Sequence, residues 1–365
     1  MLSKIKNSFD RVFKKHAENG TADRQFARAA LPIGVVLILS AVLIGLVYYY
    51  YPSRVSAPED EPGIVEAEDT YAPRALDGIE VASEMSNTMP RAIMIENHWE
   101  SRPPSGLSKA SLVFEAPAEA GITRFLAVYD GTVSVDEIGP VRSARDYYID
   151  WAAELNSLFA HVGGSPQALA KIPTANIHDL NQFFNGTYFW RWNERYAPHN
   201  VYTNTDLLRD AIDAKGLEDI SEYQAWRYKE DRPSEMPGAK EIIIDYSTPE
   251  YKTRWVWASD TNEYLRFHDE EQHFDRDGSE IKAKNIIAIL TEAHVIDYEG
   301  RLKMRTTGKG KAWVFRDGEV MEATWSKPEG DSRLRLYDVT GRDIEMNRGT
   351  TWVEVVTSRW KLEWE

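Results

Sequence analysis

Ala29–Tyr51 runs for 23 residues without a charge (AALPIGVVLILSAVLIGLVYYYY). A helix needs about 20 consecutive apolar residues to cross a bilayer, so this run is long enough to span one. Two other readings compete. A buried core helix of this length would keep a polar face. A cleaved leader would have a shorter apolar core and a small-residue cleavage site, whereas this run ends in Tyr48 to Tyr51 and Pro52. The 28 residues before it carry seven Lys and Arg against three Asp and Glu. That excess predicts a cytoplasmic N-terminus and exported C-terminal residues, with the tyrosines in the aromatic belt of the far interface. The expected localisation is therefore a cell membrane, single-pass, with nearly all the mass outside the cytoplasm.

The whole chain has 365 residues, 43 Lys and Arg, 58 Asp and Glu, and no cysteine. Beyond residue 51 this leaves 36 basic against 55 acidic residues. Such a surface repels nucleic acid and other polyanions unless positive charge is gathered locally, so no nucleic-acid partner is expected. Disulfides, thiol catalysis, cysteine metal sites and a lipidated cysteine are excluded. The fold must rest on its core, for which 12 Trp, 12 Phe and 18 Tyr supply apolar bulk.

Residues 1–28 read as a cytoplasmic tail, 29–51 as the transmembrane helix and 52–89 as a flexible acidic, Pro-rich stalk. A folded region opens at Arg91. RAIMIEN, SLVFEAP and TRFLAVYD are strand-like runs, Ser143–Phe159 has helical spacing, and Pro166 opens another helix. Asn204 caps a further helix that ends at Gly216. Residues 90–235 are thus expected to form a mixed domain, α+β with α/β as the alternative. From 236 to 365 nearly every run is strand-like, with turn pairs at Asp277-Gly278, Glu299-Gly300, Asp317-Gly318 and Thr340-Gly341. A second, β-rich domain of hairpins is expected there.

The residues that could carry chemistry cluster in three places. Arg124, Arg142 and Arg145 surround the Gly139-Pro140 turn, and arginine presents planar, bidentate donors suited to phosphate or carboxylate. The competing reading is ion pairing with Glu115, Glu119, Asp146 or Asp150. His161-Val162-Gly163-Gly164-Ser165 could orient a ligand, with glycine amides near an anion. A half-buried histidine beside a Gly-Gly turn is the plainer alternative, and Ser165 as a nucleophile lacks an orienting acid. His199 and Asn200 lie on an apparent loop in RYAPHNVY. Asn97-His98 ends the first strand, where clefts often form, although a strand-terminating polar pair fits equally. The acidic stretch His268–His273 reads as a solvated hairpin turn and Asp275–Gly278 as a tight turn. No metal site and no cofactor are expected.

RPPSGLSKASLVFEAPAEAGITRFLAVY, IGPVRSARDYYID, HVGGS and APHNVYT resemble the N-terminal half of the YerB-like family, a domain of unknown function. GKGKAWVFRDGEVMEATWSK with GTTWVEVV is similar to that family's C-terminal domain. The resemblance spans about Arg91 to Val356. It implies an exported protein of Gram-positive-type bacteria, where relatives often carry a lipid anchor. A chain without cysteine lacks that option, and the 29–51 helix takes its place. The resemblance implies no agreed activity. It points to Glu115, Glu119, Arg124, Arg142, Arg145, Asp146, His161, Gly163, Gly164, Ser165, His199 and Asn200 as motif positions. The expectation is a binding module in cell-envelope assembly or its regulation. Its partner would be an anionic wall polymer, a lipid-linked precursor or a wall-synthesis protein. The alternative is a wall-directed hydrolase or transferase, with His161 or His199 as base and Glu115 or Glu119 as acid. A scaffold docking partners through Phe189–Trp192 is a third.

Overall fold

The strand-like runs of residues 90–130 are apolar at nearly every position, and such runs belong to strands covered on both faces. β1 (Arg91–Glu96), β2 (Leu112–Pro117) and β3 (Thr123–Tyr129) are buried along their whole length. This is a computed structural model, and it describes residues 39–47, 49, 70–357 and 361–365. Residues 39–47 and 49 are helical. The rest of the 29–51 segment, and with it the expected transmembrane helix, lies outside the described residues, as do the tail and residues 50–69. Among the described residues no helix is long and apolar enough to cross a membrane.

The architecture is β-rich with few helices. The remaining elements are α1 (Asp146–Ala153), β4 (Leu158–His161), α2 (Pro166–Lys171), β5 (His178–Asn181), α3 (Thr205–Ala214), β6 (Glu241–Asp245), β7 (Lys252–Ala258), β8 (Glu263–His268), β9 (Glu271–Gln272), β10 (Lys282–Ala283), β11 (Asn285–Thr291), β12 (Gly308–Arg316), β13 (Glu319–Lys327), β14 (Arg335–Tyr337), β15 (Thr351–Thr357) and β16 (Lys361–Trp364). Short two-stranded pairs accompany them. Ten strands form one mixed sheet in the order β14-β13-β12-β11-β15-β2-β3-β1-β4-β5. β15 lies parallel to both its neighbours, with Val353 opposite Phe114 and Glu354 opposite Glu115. The boundary expected near residue 236 falls before β6, and strands from both sides of it share this sheet. Residues 69–365 cluster as one compact unit.

Alternation along β1 to β3 divides the core. Ile93, Ile95, Val113 and Phe125 face the smaller sheet β9-β8-β7-β6-β16 and pack with Ile242, Ile244 and Trp255. Ala92, Met94, Phe114 and Leu126 face the other way, against Tyr147, Tyr148 and Trp151 of α1. Phe114 and Trp151 stack at 5.1 Å between ring centroids.

Local signals explain the ends of several elements. Asn204 Oδ1 accepts from the Leu207 amide at 2.8 Å and starts α3. Arg316 pairs with Glu319 across the two-residue turn Asp317-Gly318, where φ is 60° and 76°. Both values are positive, as the tight hairpin turn requires. Two stretches differ from the sequence reading. Helical spacing from 143 to 159 yields a helix only at 146–153, because the chain turns to enter β4 beside β1. Of the stretch read as a stalk, residues 70–89 belong to the folded unit. Leu76 and Met89 are buried, the Arg74 guanidinium bonds Asp77, and the Tyr228 hydroxyl donates to the Leu76 carbonyl at 2.5 Å.

Candidate functional site

The segment Gly139–Ser165 is threaded so that side chains 46 to 103 positions apart in sequence meet. Past residue 93, β1 loses β4 as a neighbour and takes up residues 140–142. The Glu96 amide donates to the Pro140 carbonyl at 2.9 Å, and the Arg142 amide to the Met94 carbonyl at 2.8 Å. On the far side of this segment, the Val162 amide donates to the Arg142 carbonyl and the Ala144 amide to the Gly163 carbonyl. Val141 also donates to the Val201 carbonyl at 2.7 Å, which fixes the hairpin Trp190–Tyr202 and the loop that carries His199.

These contacts shape a cleft of about 330 Å³ lined by Glu96, His98, Glu100 and His199 on one side. Glu119, Arg124, Arg142 and Arg145 line the rest, with Thr123, Ser143 and Pro198 between. Arg124 lies directly opposite Glu96 on the antiparallel strand. Glu96 is 5% exposed and binds two partners: Arg142 Nε at 2.8 Å and His199 Nδ1 at 2.8 Å. Glu119 bonds Arg145 Nε and lies 3.6 Å from an Arg124 terminal nitrogen. Burial penalises the Glu119 charge, yet the Arg145 hydrogen bond and the Arg124 and Arg145 charges outweigh it, and its carboxyl sits below the usual range. Burial also lowers the basicity of Arg124, whose side chain donates to the Ser143 carbonyl at 2.7 Å. Arg142 uses Nε on Glu96, and its two terminal nitrogens have no partner among the described residues.

Five of the twelve motif positions therefore converge: Glu119, Arg124, Arg142, Arg145 and His199. The others do not line this cleft. His161 is fully buried, with Nε2 2.7 Å from Asp179 and Nδ1 2.6 Å from the Gly163 carbonyl oxygen. Gly163 adopts φ 59° at a point where a Cβ would strike the Phe183 ring. Gly164 lies so close to Ala144 that its Cβ would meet that carbonyl at 3.3 Å, so both glycines serve chain packing. Ser165 caps α2, its hydroxyl accepting from the Ala168 amide. Asn200 Oδ1 accepts from Arg191 at 2.8 Å. Asp146 pairs with Lys303 at 3.1 Å. Glu115 is fully buried and paired with Arg266 at 2.6 Å.

Sequence reasoning passed over Glu96 and Glu100 and named His98 only within a strand-end pair that could line a cleft. Their only signal was position at the end of β1, the place where that strand changes neighbours. The stretch 268–273 also differs from its reading as a solvated turn. His273 is 4% exposed and accepts from Arg266 at 2.7 Å. Burial and the Arg266 charge push the His273 ring far below the usual imidazole range. A hollow beside β6 and β16 is lined by Glu241, Ile243, Leu362, Glu363, Trp364 and Glu365 and, among the described residues, brings no cation or imidazole together.

Residues 76–218 match the family model described as "Protein of unknown function (DUF3048) N-terminal domain", and 242–353 match its C-terminal domain. The "Putative lipoprotein YerB" of Bacillus subtilis (strain 168) is 31% identical over 286 residues, which cover 77% of this chain and 85% of that protein. The crystal structure of YerB from Bacillus subtilis superposes with a TM-score of 0.71 at 30% identity, covering 80% of this chain and 99% of that one. With both domain models matched in order and a relative alike over most of both lengths, the chain belongs to the DUF3048 family, of unknown function, and carries its N- and C-terminal domains.

Proposed function

We propose that this protein is a membrane-tethered, extracytoplasmic binding module of the bacterial envelope that recognises an anionic ligand in the Glu96–Arg142–His199 cleft. The tether is the uncharged 29–51 segment, since a chain without cysteine offers no thiol for a lipid. The basic residues before it put the N-terminus in the cytoplasm. The name of the Bacillus subtilis relative, "Putative lipoprotein YerB", supports placement at a membrane surface.

One observation carries the ligand class. Arg142 is held by Glu96 through Nε alone and keeps two terminal NH2 groups without a partner among the described residues, beside Arg124 and Arg145. A guanidinium fixed in this way is pre-organised for a phosphate or carboxylate. Glu119 is ionised and clamped by arginines. This makes it a poor proton donor and weighs against an acid-catalysed hydrolase. The test is titration of the detergent-purified full chain with poly(glycerol phosphate), a phosphodiester wall polymer, at low ionic strength. We expect binding that Arg142→Ala weakens about tenfold or more, in line with the loss of one charge-assisted pair. Absence of binding, or equal binding by a folded Arg142→Ala variant, overturns the reading. Protease accessibility of residues 70–365 on intact cells tests the placement.

A further inference from the structure

His98, Glu100 and His199 form a second constellation at the mouth of the same cleft. His98 lies just past β1 and is the first residue of a short turn, Glu100 follows within that turn, and His199 comes from the Trp190–Tyr202 hairpin. One ligand atom from each falls within 4.8 Å of the others. His199 Nε2 lies 3.5 Å and His98 Nδ1 3.7 Å from the same Glu100 oxygen. The two imidazoles stack with centroids 5.1 Å apart. A tetrahedral zinc-type centre with bonds of 2.0–2.1 Å keeps its ligand atoms about 3.4 Å apart. Two of the three spacings are already there, and a modest rotation of the partly exposed His98 ring closes the third. His98 Nδ1 now accepts a 3.2 Å bond from the Glu100 amide, and a cation would take over that lone pair.

A separate feature says what the cluster is built for. Glu96, buried, holds His199 through Nδ1 at 2.8 Å. A carboxylate on the far nitrogen fixes the tautomer in which Nε2 carries its lone pair outward, toward Glu100. Metal-binding histidines are held in the same way by carboxylates behind them. Glu96 is itself anchored by Arg142, so its orientation does not depend on a cation being present.

We infer that His98, Glu100 and His199 bind one divalent transition cation of the zinc class, with Glu96 as the carboxylate that positions His199. Two imidazoles and one carboxylate suit such an ion better than calcium or magnesium, which take oxygen ligands. Three protein ligands leave a fourth position facing the cleft. The inference does not rest on the anion reading, because it is measured with the cation alone.

The test is calorimetric titration of the chelator-stripped full chain in detergent with zinc chloride, and separately with magnesium chloride. One zinc per chain is expected, and no comparable magnesium binding. His98→Gln and Glu100→Gln alter partly exposed side chains. Each should weaken zinc at least tenfold without changing the melting temperature in chelator. Glu96→Gln should weaken it 10- to 100-fold as a positioning change. X-ray absorption of the loaded protein should report imidazole nitrogen neighbours, and lose them in the His98→Gln, His199→Gln double variant. Failure to bind zinc stoichiometrically overturns the assignment. Equal zinc affinity in the folded His98→Gln and Glu100→Gln variants does so as well. If poly(glycerol phosphate) binding fails while zinc binding holds, only the anion reading falls.

Discussion

Glu115 and Glu354 lie directly opposite each other on parallel strands, in a part of the core where neither touches solvent. One buried guanidinium lies in the field of both but, of the two, bonds only Glu115. Arg266, also fully buried, bonds Glu115 at 2.6 Å and is enclosed by the rings of Phe125, Trp255 and Trp352. Glu354 instead meets Tyr246 at 2.7 Å and Trp255 Nε1 at 2.8 Å. Two carboxylates facing one cation in a dry core do not both ionise readily. Burial and the Glu115 charge push the Glu354 carboxyl up to about 8.

A carboxyl raised in the folded state contributes its full stability below its unfolded value and loses it as pH rises toward the folded value. Glu354 should therefore remove on the order of 3 kcal/mol of stability between about pH 5 and pH 8, opposed below about pH 7 by the buried His268 and His273 rings, whose lowered folded values make stability rise with pH. Asp275, which burial pushes up to about 6, acts in the same direction but has titrated by pH 7. The interval from pH 7 to 8 isolates Glu354. Glu354→Gln should flatten urea-unfolding free energies across that interval. A slope equal to that of the unaltered protein would show that Glu354 is not the titrating group.

Removing Arg266 strands the Glu115 charge. Arg266→Met is expected to cost about 3–5 kcal/mol at pH 7. The double variant Glu115→Gln, Arg266→Met should recover a large part of it, because the remaining groups are neutral. Denaturant unfolding of the two variants measures the difference, and equal losses would count against a charge-based account.

Glu154 closes the far face of the core. Just past the end of α1, it pairs with Lys327 at 3.0 Å and with Arg333, all three buried, and accepts from the Leu334 amide at 3.1 Å. Glu154→Gln leaves two buried cations without an anion, and a loss of about 3 kcal/mol or more is expected. Thermal unfolding at low and high salt checks this. The loss should depend little on salt, since buried pairs are weakly screened.

Asp275 joins the turn after β9 to the early part of the chain. Its carboxylate accepts from the Leu107 amide at 3.1 Å and the Ser108 amide at 2.7 Å. Asp275→Ala should cost about 1–3 kcal/mol at pH 7 through those orphaned donors. Amide exchange at Leu107 and Ser108 should accelerate more than at residues of β1.

The strand runs of residues 90–130 and the hairpins beyond 240 were legible because each depends on local chemistry. Apolar stretches specify buried strands, and Asp317-Gly318 specifies a tight turn whatever surrounds it. Arg124, Arg142, Arg145, Glu119 and His199 were legible as chemistry-bearing residues, and the cleft brings these five together. The pairing of β15 with β2 was not legible. It joins residues more than 230 positions apart, and no local pattern encodes which buried strand becomes a neighbour.

The sequence by itself determined which residues carry chemistry, the absence of thiol chemistry, the acidic balance and the uncharged 29–51 run, because these are properties of residue types and their spacing. Tertiary structure alone decided which polar groups face the cleft and which are buried. His161, Gly163, Gly164 and Ser165 hold the chain beside Ala144. Glu115 is drawn into the core by Arg266, while Glu96 and His98, plain residues at a strand end, reach the cleft. The physical reason is that a charged or polar side chain takes its role from the partner that satisfies it. That partner is chosen by long-range strand order, which spacing along the chain does not carry.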